Sequence, residues 1–168
     1  VGVGYYGISE PDTDKFSQIT IDMEKHGLSS GILATSDNLT ISDISIKAKT
    51  RSHITSRAIS LGGFSGHKLH NFDIYVDNSE IDGYYQNPIS SYIISNGKNI
   101  EIDGINNIKT TITSSYFASH GLLSLQGNIR GQLNIETIHG FGNCTFNVYD
   151  ATINNTGSFQ STNLNLYN

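Results

Sequence analysis

Asn38-Leu-Thr-Ile-Ser-Asp-Ile-Ser-Ile46 is the stretch whose reading decides the fold. Leu39 and Ile41 alternate with polar residues, Ser42-Asp43 interrupt, and Ile44 and Ile46 resume the alternation. An apolar period of two belongs to a strand with one buried face, not to a helix. The interrupting pair suits a tight corner. The arrangement returns along the chain: Leu39, Leu69, Ile100, Leu133 and Leu164 lie 30, 31, 33 and 31 residues apart. Ile41, Ile102, Ile135 and Leu166 follow two positions later, with Asn71 the exception, and Ile44, Ile74, Ile105 and Ile138 stand five positions after the first four. Corner pairs recur as Asp103-Gly104 and Glu136-Thr137.

A second apolar cluster precedes each unit, at 32–33, 59–61, 92–94 and 122–125, with Gly, Asn and Ser between. Each unit therefore predicts three short strands. The first lies near 32–34, 58–61, 91–94 and 122–125, and the second at 39–41, 69–71, 100–102 and 133–135. The third lies near 44–47, 74–77, 105–108 and from 138 onward. A less regular last unit comprises 144–148, 151–153 and 163–166. One unit alone buries little, whereas stacked units bury a continuous column and pair their strands. The expectation is an all-β, right-handed single-stranded parallel β-helix of about five coils of three short strands. It requires side chains about thirty-one positions apart to lie over one another. An antiparallel sandwich is the alternative that composition permits.

Composition agrees with strands and turns. Of 168 residues only 15% are charged, the net charge is −5, and Ser (21), Asn (17) and Gly (17) replace the missing charges; ordinary domains carry ~25% charge. Ile occurs 23 times, and β-branched residues favour strands while Asn and Gly favour their turns. The length fits one domain, expected at 19–168 as a segment of a longer fibre or spike, after an irregular lead-in over 1–18. Gly2, Gly4 and Gly7 in that lead-in are not a phosphate loop, because no Lys-Ser/Thr follows. Cys144 is the single cysteine, so no intrachain disulfide forms, and its alternating surroundings predict a strand or core position. No run of 18 apolar residues predicts membrane insertion, and negative charge without a basic block disfavours nucleic acid.

The units Asn38–Ile46 and Asn99-Ile-Glu-Ile-Asp-Gly-Ile105 resemble coils of pectate-lyase-like proteins, and the Asn- and Ser-rich texture is similar to that of bacteriophage tailspikes. The resemblance covers roughly residues 19–166. It implies a homotrimer on a virion tail or extracellular surface that recognises a bacterial surface polysaccharide, with or without cleaving it. The alternative is a purely structural shaft or connector of a longer fibre.

Chemistry is expected on the connections near 48–57, 77–91 and 109–121, since loops on a rigid scaffold carry sites. The richest stretch runs from Asp73 to Gln86. Glycoside hydrolysis uses two carboxyl groups across one bond, and Asp77, Glu80 and Asp82 are the candidates, with Tyr75, Tyr84 and Tyr85 placed to contact a sugar. Arg51, Lys68 and His70 are candidate ligands of an acidic sugar, and histidine as a residue type suits a general-base role. Solvated turn carboxylates and a solvated basic face are the plain alternatives. Asp43, Asp73 and Asp103, spaced by 30, raise calcium as a cofactor; calcium wants six or more oxygens, and corner residues satisfying the backbone explain the acids better, so no cofactor is expected.

Overall fold

The computed structural model describes residues 15–17, 20–23, 31–49, 57–77, 90–111 and 118–167. They form thirteen strands: β1 (Lys15–Ser17), β2 (Thr20–Met23), β3 (Ile32–Leu33), β4 (Thr40–Lys49), β5 (Ile59–Ser60), β6 (Lys68–Asp77), β7 (Ser90–Asp103), β8 (Ile105–Thr111), β9 (Ala118–Glu136), β10 (His139–Gly142), β11 (Thr145–Asn155), β12 (Ser158–Gln160) and β13 (Asn163–Tyr167). All belong to one sheet whose pairings are parallel throughout.

The hydrogen-bonded path closes on itself. β6 pairs with β8, β8 with β9, β9 with β7, and β7 returns to β6. This is a closed four-stranded parallel barrel to which the other strands are added. The evenly repeated β-helix of about five three-stranded coils is therefore corrected. Its strands are not short: β7 has 14 residues and β9 has 19, and their mutual pairing resumes beyond the corner after a register shift between Gly97 and Ile100. Its repeat is not constant either. Ile41 pairs with Leu69, Leu69 with Ile102, Ile102 with Ile129, Ile129 with Val148 and Val148 with Leu166, giving separations of 28, 33, 27, 19 and 18 residues.

The supposed column Leu39–Leu69–Ile100–Leu133 does not form in that register. Leu69 lies beside Ile41 and Ile102, and Leu133 beside Asn106 and Ile153. All four are nevertheless buried. The reason is parity: a strand shifted by two residues keeps the same face inward, so burial cannot reveal the shift. The pattern also misplaced Ile105 and Ile138, which are 61% and 41% exposed. Ser42, His70 and Asp103 pair in register, but one corner residue separates them from Ile44 and Phe72, whereas two, Gly104 and Ile105, precede Asn106. The extra residue turns Ile105 outward and Asn106 inward.

The core is a single cluster running from Ile32 and Leu39 through Phe72, Ile102 and Leu133 to Phe146 and Val148. Corners explain the abundance of Asn. Asp43 and Asn71 adopt φ of 54° and 52°, and Asn96, Ser124 and Asn143 adopt 61°, 54° and 51° at another corner. Left-handed backbone is disfavoured for most residues, but Asn and Asp tolerate it. The Asn71 side chain then ties its corner to both neighbours, donating to Asp43 Oδ1 at 3.1 Å and accepting from the Ile105 N–H at 3.0 Å. The lead-in glycines and the boundary at residue 18 lie outside the described residues.

Candidate functional site

On the outer face of β6, β8, β9 and β11, alternation leaves Asp73, Tyr75, Asn107, Lys109, Asn134, Glu136 and Asn154 pointing away from the core. They line a groove of about 450 Å³ together with Thr156 and the edges of Ile108 and Ile135. Parallel register places like on like. Asn134 Nδ2 donates to Asn107 Oδ1 at 2.8 Å, and Asn154 Nδ2 donates to Asn134 Oδ1 at 2.8 Å. Gln132 Nε2 also donates to Asn134 Oδ1, at 3.2 Å. Lys109 Nζ meets Glu136 Oε2 at 2.9 Å, and the Tyr75 hydroxyl lies 3.2 Å from Thr111 Oγ1. The groove thus offers an aromatic ring beside aligned amides and one exposed ion pair.

A second amide ladder occupies the neighbouring face. Asn128 donates to Glu101 at 3.0 Å, Asn147 to Asn128 at 3.2 Å and Asn165 to Asn147 at 3.1 Å. Arg130 lies over the Tyr149 ring at 4.3 Å, and Tyr149 stacks on Tyr167 at 4.9 Å. On a third face Tyr92, His120, His139 and Ser158 are register partners. The His120 and His139 rings lie 4.9 Å apart, with Gln160 Oε1 at 3.1 Å from His120 Nε2. Burial, and to a lesser degree His139, lower the His120 pKa, against the opposing bond from Gln160. These clusters went unnoticed in the sequence because their members are separated by irregular intervals. Only a known register would have joined them.

The residues singled out earlier are partly dispersed. Tyr75 lines the groove. Asp77 ends β6, paired in register with Lys49 and Thr111. Glu80, Asp82, Tyr84, Tyr85 and Arg51 lie outside the described residues. Lys68 is exposed at the start of β6, and His70 Nδ1 meets Asp103 Oδ1 at 2.6 Å, both before the Asn71 corner and so on a different face from Tyr75. Asp43, Asp73 and Asp103 do not form a calcium ladder: Asp43 accepts from Asn71, Asp103 contacts His70, and Asp73 lies in the groove. Among the described residues, no group of three or more His, Cys, Asp and Glu is placed to hold a metal ion. Nor is any helix among them long and apolar enough to cross a membrane. Cys144 is buried, and burial raises its thiol pKa.

No family model, curated protein or solved structure matches this chain. The likeness to pectate-lyase-like coils and phage tailspikes is corrected with the repeat that carried it. Strand closure within four strands and unequal separations describe a barrel domain, not an elongated spike. Tailspike recognition, the homotrimer that the likeness implied, and the fibre-shaft alternative lose their basis together.

Proposed function

We propose that this barrel is a saccharide-binding domain whose ligand lies in the Tyr75 groove. The observation that carries the reading is Tyr75 set beside the aligned amides of Asn107, Asn134 and Asn154 and the Lys109–Glu136 pair. A tyrosine ring presents an apolar face and a polar tip. Side-chain amides offer donors and acceptors together, which is what a ring of hydroxyl groups requires. The groove crosses four strands, so it is about 14 Å long at ~4.8 Å per strand, enough for a short oligosaccharide. A polysaccharide is accordingly the proposed partner. The test is titration of a broad panel of neutral and acidic oligosaccharides, followed by amide resonances of residues 107–109 and 134–136. Binding that weakens at least tenfold in Tyr75→Ala supports the reading. A folded protein that binds nothing in the panel ends it.

Cleavage by Asp77, Glu80 and Asp82 is a second proposal, supported by the alternation that directs Asp73, Tyr75 and Asp77 to one side of β6. Product formation by the parent chain that survives intact in Asp77→Ala, Glu80→Ala and Asp82→Ala would remove these residues from the chemistry.

A further inference from the structure

A second cleft, of about 610 Å³, lies at the corner where Gly62, Gly63, Asn96, Ser124 and Asn143 all take left-handed backbone. Among the described residues its lining contains two cations, Arg57 and Lys98, and no carboxylate. This is unusual in a chain of net charge −5. Two other cations are paired, Lys109 with Glu136 and Arg130 with Glu101 at 3.9 Å. Arg57 and Lys98 make no ion pair among the described residues, and the Nε–H of Arg57 is enclosed without an acceptor. A buried, unanswered guanidinium N–H is costly unless something compensates it. The floor is bare backbone at Gly63, where an added Cβ would meet nothing within 4 Å. Gly63 N–H is itself occupied by Asn96 O at 2.6 Å, so the floor is held in place.

We infer that this cleft binds an oxoanion group carried by an extended, hydroxyl-rich ligand. Guanidinium pairs with carboxylate, sulfate or phosphate through parallel N–H bonds, and Lys98 adds a mobile positive charge. Asn96, Gln126 and Asn143 supply amides for hydroxyl groups. The lining comes from five successively paired strands and their corners, β3, β5, β7, β9 and β10, so the cleft runs about 19 Å at ~4.8 Å per strand. A single small anion would leave most of that length empty. Nucleic acid fits less well, because the described lining residues include two cations and no aromatic ring for base stacking. The inference does not depend on the Tyr75 groove, which lies on another face.

The test uses the full chain, with inorganic sulfate, a sulfated heparin hexasaccharide, the uncharged hexamer of N-acetylglucosamine and a ten-nucleotide single-stranded DNA as probes. Sulfate should move the amide resonances of Gly63, Asn96 and Asn143. The sulfated hexamer should bind at least tenfold more tightly than the uncharged one and than the DNA. Arg57→Gln with Lys98→Gln should weaken it at least tenfold, while Lys109→Gln in the other groove changes it less than twofold. Arg57→Lys keeps the charge but not the parallel N–H bonds, and should bind more weakly than the parent yet more tightly than Arg57→Gln, which separates loss of the site from loss of the fold. Equal affinity for the uncharged hexamer, tighter binding of the DNA, or unchanged binding in a folded double variant would overturn the inference.

Discussion

The side-chain carbonyl of Asn106 accepts the backbone N–H of Phe72 at 3.2 Å, from a position with no solvent exposure. Its Nδ2 donates to the carbonyls of Asp103 at 2.8 Å and Gln132 at 3.2 Å. One amide therefore joins three parallel strand segments at a corner where backbone pairing is interrupted. Asn106→Ala leaves the Phe72 N–H without its partner and opens a small void. Unsatisfied buried groups cost about 1–3 kcal/mol each, so the variant should lose about 2–4 kcal/mol. Denaturant unfolding reads the loss, and a change under about 0.5 kcal/mol would show that the amide does not hold the corner.

The same residue marks how far the sequence could be read. Alternation around Leu39, Leu69, Ile100 and Leu133 put the right residues inside, because inward and outward faces depend only on parity. Which strand lies beside which depends on corner length, and one extra residue at Gly104-Ile105 is invisible to an apolar pattern. Ile105 looked like core; the structure turns it outward and buries Asn106 instead. That Tyr75 points outward was legible, since it alternates with Ile74 and Val76. The amides of Asn107, Asn134 and Asn154 beside it were not, since they come from three strands whose spacing contracts along the chain.

Two glycines should respond differently to alanine. At Gly127 an added Cβ would collide with the backbone carbonyl of Ile100 on the paired strand, which cannot move without breaking the ladder. Gly63 faces open space, and only its φ of 84° opposes a side chain. Gly127→Ala should therefore cost more than about 3 kcal/mol or prevent folding, as overpacking against a fixed neighbour does at its upper end. Gly63→Ala should cost about 1–2 kcal/mol, the scale of local backbone strain. Thermal melts of the two variants compare them directly. Equal losses would mean that close approach of β7 and β9 is not what requires Gly127.

Cys144 should be inert in the folded chain. Its Sγ lies 3.2 Å from the Gly142 carbonyl and 3.5 Å from that of Leu122, and burial pushes the thiol pKa up. Thiolate is the reactive form, so a thiol reagent at pH 8 should label it only at the rate of unfolding. Complete labelling should follow within minutes in denaturant. Equally rapid labelling of native protein would place the sulfur at the surface.

Acid should weaken the fold before its carboxylates titrate. His67 has no solvent exposure, its Nδ1 accepts the Leu39 N–H at 3.3 Å, and its Nε2 finds no partner among the described residues. Burial lowers its pKa, opposed by the negative charge of Asp37. His120 is likewise lowered by burial and is held beside Gln160, His139 and Tyr92. Both are neutral in the folded chain near neutrality, and a protonated His67 Nδ1 could no longer accept from Leu39. Unfolded histidines titrate near pH ~6.5. Below that value the unfolded chain binds protons that the folded chain resists, so stability, fully present above it, declines as pH falls through the depressed folded values. Urea unfolding at pH 7.5 and 5.5 should show a lower midpoint at 5.5. In His67→Gln with His120→Gln the midpoint should move much less, because glutamine keeps an acceptor but takes no proton. A double variant that loses as much as the parent between the two pH values would assign the acid sensitivity to other groups.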